Sequence, residues 1–184
     1  MTNQKVVFID RDGTINKSVP YLDNYADFEF YSETIEGLSL LIKNNFKIVL
    51  VTNQSGIGRG YFSLKVLNNI HRNMLLELKS ENILISGIYF CPHTPEDDCN
   101  CRKPKVGMLE KASLDLSIKP NNSYMIGDRL SDIQAGQNFG CVSILVETGY
   151  GKSESMLFDK EQIIPNKITK NIQTAAQWIV DNEN

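Results

Sequence analysis

Asp10 and Asp12 stand two residues apart, where an apolar run, Val6-Val7-Phe8-Ile9, gives way to Gly13 and Thr14. The run is rich in β-branched residues and too short for a helix, so it reads as a strand buried on both faces. Residues two apart on an extended chain point the same way. Two carboxylates that close repel, so the pair needs a cation, or one proton held at a raised pKa. In an open parallel sheet the ligand crevice lies outside the carboxyl ends of the strands, and this pair falls there. The plain alternative is an Asp-rich turn that merely ends a strand, and partners further along the chain weigh against it.

Those partners are Thr52, Lys103 and Asp128, each at or just after a predicted strand end or loop. The set suits phosphoryl transfer. An aspartate is a competent covalent nucleophile when a metal shields the incoming dianion, which gives Asp10 that role. Mg²⁺ takes oxygen ligands, with one or two carboxylates beside waters and phosphate. Asp10 and Asp128 supply them from neighbouring strands, with Asp12 a further candidate ligand. The Thr52 hydroxyl and the Lys103 ammonium suit the equatorial phosphoryl oxygens. Asp12 is placed to donate a proton to the leaving oxygen and later to take one from water. Asp132, four residues after Asp128, faces the same side of a helix start. It reads equally as a grip on Lys103 and as a helix N-terminal charge.

A second constellation is Cys91-x-His93-x₅-Cys99-x-Cys101. One imidazole and three thiolates so close in sequence make the closed ligand set of structural Zn²⁺, leaving no open catalytic position. The loop over 91–101 is therefore expected to be pinned by zinc so that Arg102 and Lys103, which follow the last ligand, are preorganised. Cys141 opens an apolar strand and reads as core packing. His71, on a predicted helix with no partner nearby in sequence, reads as a surface or semi-buried residue. Gly56-x-Gly58-x-Gly60 lacks the spacing and the following lysine of a nucleotide-binding loop. It is expected to be a turn that brings backbone N–H groups and Arg59 toward a substrate.

Strands alternating with amphipathic helices must position these residues. The loop Ile15 to Tyr31 is too long for a simple connection, which marks it as functional. A helix is predicted over Thr34 to Asn44, with Ile35, Leu38, Leu41 and Ile42 on one face. A strand follows over Phe46 to Val51, then a helix capped by Ser63 and running to about Ser80. Ile88-Tyr89-Phe90 is a short third strand, and a helix follows the metal loop from Gly107 to Leu116. Ser123 to Ile126 and Cys141 to Val146 are strands flanking a helix that ends near Asn138. Ile168 marks a short sixth strand, and Ile172, Ala175, Ala176 and Ile179 the stripe of a last helix. The pattern predicts an α/β fold with three layers, a Rossmann-like, mostly parallel central sheet and right-handed crossovers.

The chain has 184 residues, enough for one domain over 1–184 with a proper core. Nineteen basic against 22 acidic residues leave a net charge of −3, which argues against a nucleic-acid partner. No apolar run approaches the ~18 residues of a membrane span. The start, Met-Thr-Asn-Gln-Lys, leaves no room for a signal peptide before the first strand. A cytoplasmic monomer with a small-molecule substrate is expected, its four cysteines reduced.

Asp10-x-Asp12-Gly13-Thr14, Thr52, Lys103 and Gly127-Asp128-x₃-Asp132 stand in the order of the four motifs of the haloacid dehalogenase-like phosphatase superfamily. Phe8 to Ile15, Thr52-Asn53-Gln54, Cys91-Pro92-His93 and Cys101-Arg102-Lys103-Pro104 resemble one branch of it. That branch holds the D-glycero-D-manno-heptose 1,7-bisphosphate phosphatases and the histidinol-phosphate phosphatases. The resemblance implies a minimal cap, Mg²⁺-dependent monoester hydrolysis through an aspartyl phosphate, and a zinc loop. It implies substrate contacts at Ser18, Val19, Pro20, Tyr21, Asn53, Gln54, Ser55, Arg59, Arg102 and Arg129. Val19-Pro20-Tyr21 stands where the heptose enzymes carry Gly-Tyr. Ser55 and the Arg59-Gly60 pair are similar to the heptose enzymes, whereas the short zinc spacer and Arg129 are also seen in the histidinol type. Arg102 and Arg129 suit a second phosphate better than an imidazole amino alcohol, so a heptose bisphosphate in nucleotide-activated heptose and lipopolysaccharide biosynthesis is the expected substrate. Histidinol phosphate is the alternative. A non-catalytic zinc-loop interaction module is the rival from outside enzymology.

Overall fold

The computed structural model describes residues 5–120 and 123–183. The first four residues, part of the start weighed above for a signal peptide, lie outside them. Six strands form one parallel sheet: β1 (Val6–Ile9), β2 (Lys47–Asn53), β3 (Ile85–Cys91), β4 (Ser123–Gly127), β5 (Val142–Val146) and β6 (Lys167–Thr169). Their order is β3-β2-β1-β4-β5-β6, the doubly wound arrangement whose winding reverses between β1 and β4. Helices α1 (Thr34–Lys43), α2 (Leu64–Ser80), α3 (Gly107–Leu116), α4 (Leu130–Phe139) and α7 (Ile172–Glu183) cover it, with short turns α5 (Gly151–Glu154) and α6 (Phe158–Glu161) after β5. No helix among the described residues is long and apolar enough to cross a membrane.

The central strand explains the two-sided core. Alternate residues of an extended chain face opposite ways, and β1 is wholly buried. Val7 and Ile9 pack with Leu38 and Leu41 of α1, Met74 and Leu78 of α2, and Ile172, Ala175 and Ile179 of α7. Val6 and Phe8 pack on the other face with Met108, Leu109 and Ala112 of α3 and Ala135 of α4. Cys141 is buried in that second cluster, as its apolar setting suggested.

Two elements depart from expectation. The third strand has seven residues rather than three, because pairing with β2 takes in Gly87 and Ile85, with a register shift that leaves Ser86 unpaired, and runs on to Cys91. The loop after β1 is pinched at its base, where Lys17 N–H donates to the Glu29 carbonyl and Tyr31 N–H to that of Ile15. The stretch between becomes a flap. Tyr25 stacks on Phe28 and its hydroxyl donates to Glu77 of α2 at 2.6 Å.

Candidate active site

The reversal in strand order brings the predicted residues together. Ile9 of β1 pairs with Ile126 of β4, and the Asp10 N–H donates to the Ile126 carbonyl. Asp10 and Asp128 therefore leave adjacent strands at the same sheet edge. With Asp132 they form a buried trio whose carboxylate oxygens lie within 4.8 Å of one another. Lys103 arrives from the loop between β3 and α3. Its Nζ sits 2.7 Å from Asp10 Oδ1, from Asp132 Oδ1 and from the Val51 carbonyl. Both readings of Asp132 hold, since its other oxygen accepts the Arg129 N–H at the start of α4.

The electrostatics call for a further cation. Burial, with Asp132 and Asp12 nearby, raises Asp10 to about 7 against the pull of Lys103. Burial, with Asp10 and Asp132, raises Asp128 to about 8. One ammonium thus balances three buried carboxylates. Buried charges that are not fully paired shift their pKa, and a hard divalent ion with oxygen ligands fits this donor set. The cradle is tightly shaped: a Cβ on Gly13, whose φ is +91°, would meet Asp128 Oδ2 at 2.3 Å. The Tyr150 N–H donates to the same oxygen at 2.8 Å.

Asp12 lies outside that trio. Its Oδ1 accepts from Arg11 Nε (3.1 Å) and Asn16 (3.0 Å), and its Oδ2 from Arg11 Nη2 (2.6 Å) and Gln54 (2.8 Å). Burial pushes this carboxyl up, but the Arg11 guanidinium and these four bonds outweigh it and hold it below the usual range. The Asp12 carboxylate, expected as a further magnesium ligand, is taken up by these donors, and Asp132 stands in the trio in its place. The Gln54 amide also donates to Thr52 Oγ1 at 2.9 Å, which ties Thr52 to Asp12. Asn53 uses both ends of its amide on the Lys103 peptide, accepting its N–H at 3.1 Å and donating to its carbonyl at 3.2 Å.

A cavity of about 430 Å³ opens above these groups. Its wall includes Ser18, Val19, Pro20, Tyr21, Asn53, Gln54, Ser55, Arg102 and Arg129, all expected there. Arg59 is not among the lining residues; it faces Glu96 at 3.8 Å. The glycine-rich turn reaches the cavity at its start, where Ser55 and Gly56 line the wall, while its later N–H groups turn elsewhere. Those of Ile57, Arg59, Gly60 and Tyr61 close the turn on itself, and that of Gly58 donates to the Pro92 carbonyl in the Cys/His loop. Leu22, Gly56, Phe62, Ser131 and Tyr150 also line the wall without having been expected as substrate contacts. Tyr150 lies beneath Arg129, guanidinium to ring centre 3.8 Å, a stacking that sequence separation conceals.

The four zinc-loop residues converge as well. Cys91, His93, Cys99 and Cys101 present ligand atoms within 4.8 Å of one another. The three sulfurs are 3.1–3.5 Å apart, and His93 Nδ1 lies 3.2 Å from Cys101. Tetrahedral zinc with Zn–S bonds of about 2.3 Å holds sulfurs roughly 3.8 Å apart, so the cage matches that ion with a small expansion. His71, by contrast, is buried and meets Arg11 Nη1 at 3.0 Å; the surface reading fails because α2 packs that face against the flap and β1.

Residues 100–175 match the model of the HAD-hydrolase-like family. Over 154 residues the chain is 42% identical to the D-glycero-beta-D-manno-heptose-1,7-bisphosphate 7-phosphatase of Haemophilus ducreyi, covering 79% of this chain and 85% of that one. It is 43% identical over 161 residues to the D-glycero-alpha-D-manno-heptose-1,7-bisphosphate 7-phosphatase of Photorhabdus laumondii, covering 82% and 86%. The crystal structure of D,D-heptose 1,7-bisphosphate phosphatase from B. bronchiseptica, complexed with magnesium and phosphate, superposes with a TM-score of 0.89. There the identity is 28%, with 97% of this chain and 99% of that one covered. Sequence, fold and the carboxylate–lysine cluster agree: the chain belongs to the D-glycero-D-manno-heptose-1,7-bisphosphate 7-phosphatase family of the HAD superfamily.

Proposed function

We propose that the protein removes the C7 phosphate of a D-glycero-D-manno-heptose 1,7-bisphosphate through an aspartyl phosphate. The observation that carries this reading is the buried cluster of Asp10, Asp128, Asp132 and Lys103 at the point where the strand order reverses. Asp10, held by Lys103, attacks the phosphorus in line. Asp12 donates a proton to the departing O7; the arriving phosphate dianion raises its proton affinity for that purpose. Thr52, fixed by Gln54, and Lys103 bind the equatorial oxygens. Asp12 then deprotonates the water that releases phosphate. Mg²⁺, held by Asp10 and Asp128, supplies charge neutralisation for the dianion. Asp132 acts on Lys103 rather than on the substrate.

Arg102 and Arg129 serve the distal phosphate. Arg102 Nη1 donates to the His93 carbonyl at 3.3 Å, so the zinc cage positions it together with Lys103. The product, heptose 1-phosphate, retains the anomeric phosphate, the form that nucleotide activation consumes. A single domain, monomeric and cytoplasmic, is part of the same proposal.

The test is a phosphate-release panel with both heptose bisphosphate anomers, fructose 1,6-bisphosphate and histidinol phosphate. A heptose bisphosphate is expected to have the highest kcat/KM; preference for histidinol phosphate would replace the substrate but keep the chemistry. Asp10→Asn is expected to lower turnover by about a thousandfold or more. Wild-type turnover in that variant would end the covalent mechanism.

A further inference from the structure

Behind Asp12 stands a chain of buried groups that the catalytic scheme does not use. Arg11 is almost wholly shut off from solvent. It divides its guanidinium between two partners: Nε and Nη2 grip the two oxygens of Asp12, and Nη1 meets Nε2 of His71 at 3.0 Å. His71 comes from the buried face of α2, with the Phe90 ring of β3 6.1 Å from its own. Burial, reinforced by the Arg11 charge, pushes its imidazole down to about 3. It is therefore neutral, and since Arg11 can only donate, Nε2 is the acceptor and the ring proton is assigned to Nδ1.

A guanidinium is a rigid planar fork, so fixing one arm fixes the other two. Removing His71 leaves a buried Nη1 without that acceptor, and a buried unpaired donor draws the fork toward whatever else it can reach. Asp12 would follow, because two of its four bonds come from that fork. We propose that His71 is a positioning residue for the acid–base step, acting through Arg11 to hold the Asp12 carboxylate at the leaving oxygen. The proposal rests on the reading of Asp12 given above.

Leaving-group chemistry separates this role from a purely structural one. An alkoxide such as O7 departs only with a proton, whereas p-nitrophenolate departs without one. The experiment measures kcat/KM, which reports on steps through phosphoryl transfer, for heptose 1,7-bisphosphate and p-nitrophenyl phosphate. It compares wild type with His71→Leu, His71→Gln and Asp12→Asn. In His71→Leu the aryl-to-alkyl ratio is expected to rise about tenfold. In His71→Gln, whose amide oxygen can accept from Nη1, it should return to within about threefold of wild type. His71→Phe, which keeps a ring against Phe90, takes the place of the leucine variant if that one is recovered unfolded. Equal losses on the two substrates, or an unchanged ratio, would overturn the proposal. If Asp12→Asn also leaves the ratio unchanged, the acid–base reading of Asp12 is at fault. If Asp12→Asn raises the ratio and His71→Leu does not, only the positioning role fails.

Discussion

Gly13 shows how little freedom the metal cradle has. Its φ of +91° and its 2.3 Å virtual contact with Asp128 oppose any side chain. Gly13→Ala is therefore expected to displace Asp128, raise the half-saturating Mg²⁺ concentration for activity at least about tenfold and destabilise the fold by about 1–3 kcal/mol. A Mg²⁺ titration of turnover and a urea melt check both, and an unchanged metal requirement would contradict the cradle. His71 has a stability consequence of its own. Its folded pKa, about 3, lies below the ordinary 6.5, so the unfolded chain binds the proton first as pH falls. The contribution is present above 6.5 and is lost between there and 3. By linkage, wild type should lose up to about 2 kcal/mol relative to His71→Gln between pH 7.5 and pH 5. Urea melts at the two pH values read this directly; equal losses would contradict it. Asp10, Asp128 and Asp132 were legible residues because glycine and charge punctuate strand ends. The partnership of Arg11 with His71, 60 residues on, was not, because it depends on how α2 packs.

At the scale of elements, the Cys/His loop and the glycine-rich turn form one unit. Gly58 donates to Pro92, Arg102 to His93, and Asn53 pins the Lys103 peptide from β2. Chelation that strips zinc should lower kcat about ten- to a hundredfold by loosening Lys103, while leaving the Mg²⁺ requirement unchanged. Metal analysis beside turnover checks this; full activity in zinc-free protein would refute the link. The ligand spacing was readable because three thiols and an imidazole this close along the chain suit a soft-ligand metal and little else. The use of the neighbouring turn was not. Its glycines signalled backbone freedom, and tertiary pairing spent part of that freedom on Pro92 and on closing the turn, leaving Gly56 at the cavity wall.

Across the whole molecule, one cavity has an acidic end and a basic end. Tyr150 joins them: its N–H bonds Asp128 while its ring supports Arg129. Losing a charge-assisted bond to the distal phosphate costs about 1.5–3 kcal/mol. Arg129→Ala should accordingly raise KM for the bisphosphate about tenfold or more, relative to the change in KM for p-nitrophenyl phosphate. A comparison of the two KM values tests this, and parallel changes would place the distal phosphate elsewhere.

Hydrophobic periodicity and strand-end punctuation in the chain already specified a parallel α/β sheet, the aspartates and Lys103 that cluster at its edge, and the Cys/His loop. These are signals within a few residues, and alternating burial writes them into the sequence directly. Strand order, the occupation of both Asp12 oxygens, the exclusion of Arg59 from the cavity and the burial of His71 came from folding. Each depends on which distant surfaces meet, and no local pattern of residues encodes that meeting.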